Sequence, residues 1–263
     1  MKIPRTLAAA VLCLGGVLSA DEAPNAAVEP LADDAKAPPA LTAATPAPEV
    51  LRICRAMLPA HPVELKGALI LRSRKGIVAR EYDYRLVMRR GADVSLLTIH
   101  LMPRGETNEL AAVTVTRRPG ARPVIRLAKA GAAEAEVVDS PLARVLETDV
   151  TWLDLTFDFL WWPHAAYEAA REGESIHGQT CVVILVKPDV AIDGLSAVRL
   201  WVDKKTGCLM QAEQVDASGK PIRRLWGTRV KKMDGRWMVS VLEVETLGAR
   251  HRTKITVDAL RDL

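Results

Sequence analysis

The C-terminal third of the chain constrains the fold most. Residues 180–187, 196–203, 208–216, 221–232, 236–246 and 250–258 read as six short strand candidates. Most of the breaks between them are short and glycine-bearing: Gly207 ends Lys204, Lys205 and Thr206, Gly219 follows Ala217 and Ser218, and Gly235 follows Asp234. Pro188 and Asp189 mark a further break. Glycine supplies the positive φ that tight hairpin turns need, and consecutive hairpins make an antiparallel meander. The N-terminal half continues the series with strand candidates at 67–73, 79–89, 94–102, 109–117 and 123–129, the first pair joined by a turn at Arg74, Lys75 and Gly76. About eleven strands in one sheet must curl strongly or close, because a flat open sheet of that size leaves exposed edges. An amphipathic helix over 48–58, with Val50, Leu51, Ile53 or Cys54, and Met57 at helical spacing, is stopped by Pro59.

Between the two halves lies DLTFDFLWWP, residues 154–163. It holds both phenylalanines and two of the six tryptophans of a chain that is 4% aromatic. Such concentration builds one large apolar surface at one place, which a packed core, a ligand groove or a partner site could each require. Thr151 followed by Asp154 has the spacing of an N-terminal capping box, and Pro163 closes the segment, so a short helix is expected between them. The apolar–polar alternation of 153–159 also fits a strand. Ala165 to Arg171 reads as a second helix.

The N-terminus opens with Lys2 and Arg5, an apolar run from Leu7 to Leu18, and the small residues Ser19 and Ala20. That is the pattern of a secretory signal peptide over 1–20, and the run is short for a membrane span. Residues 21–48 hold ten alanines and six prolines with no apolar period, which describes a disordered linker. The folded domain is then 49–263. Without residues 1–20 the chain keeps 34 basic and 32 acidic residues, a net charge near +2 that gives no reason to expect nucleic acid. Three cysteines remain in that form, Cys54, Cys181 and Cys208, either as buried thiols or with one pair joined. Cys181–Cys208 is the pairing to test.

Four stretches carry a resemblance. They are DLTFDFLWWP at 154–163, the RE…CVVIL segment at 171–185, RLWVDKKTGCLMQAEQVDASGKPIRRL at 199–225 and RTKITV at 252–257. Together they resemble the bacterial outer-membrane lipoprotein-sorting (LolA-like) proteins, in an uncharacterised branch with a DLT/DLS-type central motif, across residues 49–262. The resemblance implies a mainly β (α+β) fold: one strongly curved antiparallel sheet forming a half-open barrel, with helices across its concave face as a lid. It also implies an apolar cavity for acyl chains, since family members with known roles bind or ferry lipid-modified molecules across the periplasm. On that reading the cavity and lid residues are Leu155, Phe157, Phe159, Leu160, Trp161, Trp162, Trp201 and Met210. Trp201, Trp226 and Trp237 lie on strand candidates that face either the cavity or the outside.

The chemistry of the remaining residues points away from catalysis. His61, His100, His164, His177 and His251 are scattered, with no CxxC or HExxH, so no metal site is expected. Gly173 to Gly178 (GESIHG) lacks the GxSxG spacing of a nucleophile elbow, and no phosphate-binding glycine loop occurs, so neither hydrolase chemistry nor a nucleotide cofactor is implied. Asp203, Asp216 and Gly219 are turn formers. Arg223, Arg224, Arg229, Lys231 and Lys232 form a basic stretch, either a solvated sheet face or a site for anionic lipid headgroups. The expected function is a non-enzymatic periplasmic carrier of lipoproteins or acylated lipids. The alternative is a sensor of the same fold that binds a lipidated signal or a regulatory partner, and a membrane protein partner fits either.

Overall fold

The computed structural model describes residues 9–10, 40–42, 44–59, 61–91, 94–118, 121–233 and 236–263. The expected signal peptide, apart from Ala9 and Ala10, and the linker up to residue 39 lie outside these. So does the turn at Asp234 and Gly235. In chain order the elements are α1 (Ala47–Ala56), β1 (Val63–Ser73), β2 (Val78–Arg90), β3 (Ser95–Pro103), β4 (Ala111–Arg117), β5 (Val124–Lys129) and β6 (Glu136–Val137). After α2 (Trp152–Thr156) and a 3-10 turn (Asp158–Trp161) come β7 (His164–Tyr167), β8 (Ser175–Ile176), β9 (Gln179–Lys187), β10 (Ala197–Asp203) and β11 (Leu209–Val215). The chain ends with β12 (Pro221–Met233), β13 (Arg236–Thr246) and β14 (His251–Asp262).

The fold is mainly β, with few helices. Apart from the two residues Ala9–Ala10, which pair in parallel with β13, the described strand pairings with a defined register are antiparallel. The chain divides into two compact units, one of Pro59–Asp158 with Glu243–Leu263, the other of Phe159–Leu242 with the described residues before Pro59. In the first unit the strand order is β6-β5-β4-β3-β2-β1-β14, and in the second it is β12-β11-β10-β9-β7, with β8 on the end of β9. Hydrogen bonding continues through β13, and the end strands β6 and β7 do not meet, so the sheet is not closed into a barrel.

Two-fold alternation builds the core of the first unit. Register aligns Val63, Met88, Leu97 and Val115 across four strands, and beside them Leu65, Leu86, Ile99 and Val113. All eight are buried, and Leu69, Ile255 and Val257 extend the same face onto β14. At fixed side-chain period this face cannot slip by one residue without exposing the whole set. Gly67 marks the tightest point: a Cβ there would lie 1.8 Å from the Thr256 carbonyl oxygen, to which the Tyr84 hydroxyl donates at 2.8 Å.

In the second unit Val182, Ile184 and Val186 on β9 share a buried face with Val198, Leu200 and Val202 on β10. α1 buries Val50, Leu51, Ile53 and Cys54, as its helical spacing requires.

Two expectations change. Ala165 to Arg171 is not a helix: residues 164–167 form the edge strand β7 against β9, and only Ala169–Arg171 turn as 3-10. Alanine's helix propensity is a weak preference that open backbone groups on β9 outweigh. The linker composition also reaches too far. Leu41 is buried with its N–H on the Lys204 carbonyl at 2.7 Å, and Ala47 is buried in α1. No helix among the described residues is long and apolar enough to cross a membrane.

Candidate functional site

The central segment begins with a complete capping box. Thr151 Oγ1 accepts from the Asp154 N–H at 3.3 Å, and Asp154 Oδ2 accepts from the Thr151 N–H at 2.8 Å. α2 then lasts little more than one turn. It ends at Phe157, whose φ of 49° is left-handed and whose N–H bonds the Leu153 carbonyl at 3.1 Å. Leu146, upstream, has a φ of 52°. Bulky side chains rarely hold this region, so residues 141–158 form a strained strap.

The strap lies on the apolar face of the first unit. Register places Thr253 and His251 on the same face of β14 as Ile255, and Arg117 on the same face of β4 as Val113 and Val115. The Asp149 N–H donates to Thr253 Oγ1 at 2.8 Å, and the fully buried Asp149 carboxylate lies 2.8 Å from His251 Nδ1. At the C-terminal end of the strap, buried Arg117 donates to Asp158 at 2.8 Å. Arg80 and Glu147 add an exposed pair at 2.9 Å, worth little in water. Between Asp149 and Asp158, Val150, Leu153, Leu155 and Phe157 are buried, and Val145 is buried upstream of both. Polar contacts thus hold the strap at its midpoint and at its C-terminal end, with apolar side chains buried between them.

The boundary between the units falls between Asp158 and Phe159, so the proposed site residues divide. Leu155 and Phe157 belong to the strap of the first unit. Phe159, Leu160 and Trp162 are buried in the second, where the Phe159 and Trp162 rings meet edge to face at 6.5 Å. Trp161 is half-buried, and Arg55 of α1 donates to the Leu160 carbonyl at 2.7 Å.

Trp201 and Met210 lie in a different setting. Trp201 packs with Cys181 and Val183, with Met210 and Ile176 against them. Register places Trp201 and Arg199 on one face of β10 and Leu200 on the other. That face is charged. Arg199 pairs with Glu168 at 2.7 Å and Glu213 at 3.3 Å, and Arg224 reaches Glu213 at 2.9 Å. Trp201 donates Nε1 to Glu174 at 2.7 Å, with the Arg171 and Arg199 guanidinium carbons 5.8 and 5.9 Å from its ring centroid. The Glu168 hydrogen bonds hold Arg199 above its usual range. Arg223 in the basic stretch is buried, whereas Arg229, Lys231 and Lys232 are exposed.

The latch residues Arg117, Asp149, Asp158, His251 and Thr253 escaped sequence reasoning. Their partners lie 41 to 104 positions apart and carry no local pattern.

Comparison with known proteins bears on the fold. The family whose profile matches, over residues 140–261, is described only as "Uncharacterized protein". No curated protein matches the chain. Among solved structures, a DUF1329 family protein from Desulfovibrio piger superposes with a TM-score of 0.68 at 16% identity, over 82% of this chain and 93% of its own. A putative outer membrane lipoprotein-sorting protein domain from Vibrio parahaemolyticus gives 0.70 at 15% identity, over 82% and 92%. A LolA superfamily protein from Nitrosomonas europaea gives 0.63 at 16%, over 84% and 96%. The chain has the fold of the LolA-like lipoprotein-sorting proteins.

Proposed function

We propose that this protein is a non-enzymatic periplasmic carrier or binding protein for lipoproteins or other acylated lipids. Residues 1–20 would direct export, and the domain from about residue 40 would hold the cargo. The observation that carries the reading is the strap of residues 141–158, held by polar contacts at Asp149 and Asp158 with apolar side chains buried between them, on the buried face of a LolA-like sheet.

Such a strap can exchange its own contacts for those of a ligand. Burying a Leu or Phe side chain contributes about 1.5–3 kcal/mol, and each buried methylene about 0.8 kcal/mol. An acyl chain of about a dozen methylenes therefore replaces Leu153, Leu155 and Phe157 without net loss of burial. The left-handed backbone at Leu146 and Phe157 supports the same reading, because strain relieved on opening offsets part of the lost contact. A small net difference between closed and loaded states is what reversible carriage requires.

The test is native mass spectrometry of gently purified protein, with titration of a fluorescent acyl probe. Co-purifying acyl lipid and saturable probe binding are expected. A wild-type protein that never binds the probe, or that isolates with a stoichiometric protein partner and no lipid, refutes the carrier reading.

A further inference from the structure

The three cysteines of the domain are buried and joined in no disulfide, and the pairing to which the sequence pointed is not the one the fold brings together. Cys181 turns its Sγ to the Gln179 carbonyl at 3.3 Å, within the Trp201 cluster. Cys54, near the C-terminal end of α1, turns its Sγ to the Gly207 carbonyl at 3.4 Å, across 153 positions of sequence. Gly207 immediately precedes Cys208. Leu41 docks on the same hairpin through the Lys204 carbonyl, so the N-terminal segment meets the β10–β11 turn at two points.

We propose that Cys54 and Cys208 form a disulfide when the chain folds in an oxidising compartment, clamping α1 to the β10–β11 hairpin. The proposal shares with the functional reading only the expectation of export, and does not depend on cargo. The Cys54 thiol needs to swing only from the Gly207 carbonyl to the neighbouring residue.

The chemistry is thiol–disulfide exchange with a small disulfide oxidant such as oxidised glutathione. One cysteine thiolate attacks an oxidant sulfur, forming a mixed disulfide and releasing one glutathione thiolate. The second cysteine, as thiolate, then attacks the protein sulfur of that mixed disulfide and releases the other. Two protein thiols become one disulfide, the oxidant becomes two thiols, and the proton lost by each cysteine passes to a departing thiolate.

Timing is set by burial. Desolvation pushes both the Cys54 and the Cys208 thiol up to about 12, and each is almost wholly covered. Thiolate is the nucleophile, so the folded, reduced protein reacts slowly and the bond forms before α1 has docked. A cross-link between such distant positions restricts the unfolded chain strongly and raises stability.

The experiment refolds the full reduced chain in a glutathione redox buffer, blocks remaining thiols with an alkylating reagent and maps the peptides. The expected result is a peptide linking Cys54 to Cys208 with Cys181 alkylated. That link should persist in Cys181→Ser, with a urea midpoint that falls on adding dithiothreitol. The same buffer added to already folded, reduced protein should give the link many-fold more slowly. Recovery of Cys54 and Cys208 both alkylated after oxidative refolding, or either linked to another cysteine, overturns the proposal. Because wild-type peptides are mapped directly, the result does not depend on any variant folding.

Discussion

Phe157 sets two opposing effects at a single residue. Its φ of 49° costs about 1–2 kcal/mol that glycine would not incur, but its side chain is 1% exposed. Removing a buried phenylalanine costs about 3–5 kcal/mol, so Phe157→Gly should be destabilising by about 1–4 kcal/mol despite the relieved backbone. Leu146 has the same backbone strain and a half-buried side chain, so Leu146→Gly should leave the urea midpoint nearly unchanged. A clear loss at Leu146, with no offset from the relieved backbone, would show that strain plays no part. The cysteines give a pH dependence. Burial pushes the Cys54 and Cys208 thiols to about 12 and Cys181 to about 11. An unfolded thiol titrates near 8.5, so above that pH the unfolded chain holds fewer protons than the folded one. The contribution to stability is whole below about pH 8.5 and is lost as pH rises through the folded values. Urea midpoints of reduced protein should therefore fall steadily from about pH 9 upward, and less steeply in Cys54→Ala. A flat profile would mean the thiols are not sealed from water.

At the scale of elements, alternation and turn chemistry made most of the sheet legible. β4, β10 and β13 fall within two residues of their sequence expectations, because period-two patterns flanked by glycine turns leave little freedom. The capping box at Thr151 and Asp154 was equally readable, being local in sequence. β7 was not, since an alanine-rich edge strand takes its conformation from β9 and not from its own residues. Close approach between elements was also invisible. Gly67 looks like an ordinary weak point in a strand, yet it is where β14 presses its Thr256 carbonyl against β1. Gly67→Ala would put a methyl group 1.8 Å from that oxygen, a backbone atom that cannot swing aside. The variant should lose at least about 3 kcal/mol or fail to accumulate as folded protein, as read by a urea titration. Near-wild-type stability would mean that β1 and β14 separate easily.

For the molecule as a whole, aromatic concentration in the sequence located the central segment without showing how it is fastened. Phe157 and Phe159 look like neighbours in one motif, but they belong to different compact units. Trp201, grouped with them by residue type, stands among Arg171, Arg199 and Glu174. The fastening resides in Arg117, Asp149 and His251, which only the folded chain assembles, and it leads to a prediction in which stability and binding move in opposite directions. If cargo enters beneath the strap, the apparent affinity is lowered by the fraction of molecules with the strap closed. Weakening a latch removes part of that penalty. Asp149→Asn keeps the shape and the backbone bond to Thr253 but discharges the partner of His251, a loss of about 1–3 kcal/mol from the closed state. Amide exchange in residues 141–158 should then quicken, and the acyl probe should bind about tenfold more tightly for each 1.4 kcal/mol lost from strap closure. Faster exchange with weaker or unchanged binding would mean that the strap is core structure and that cargo, if any, binds elsewhere.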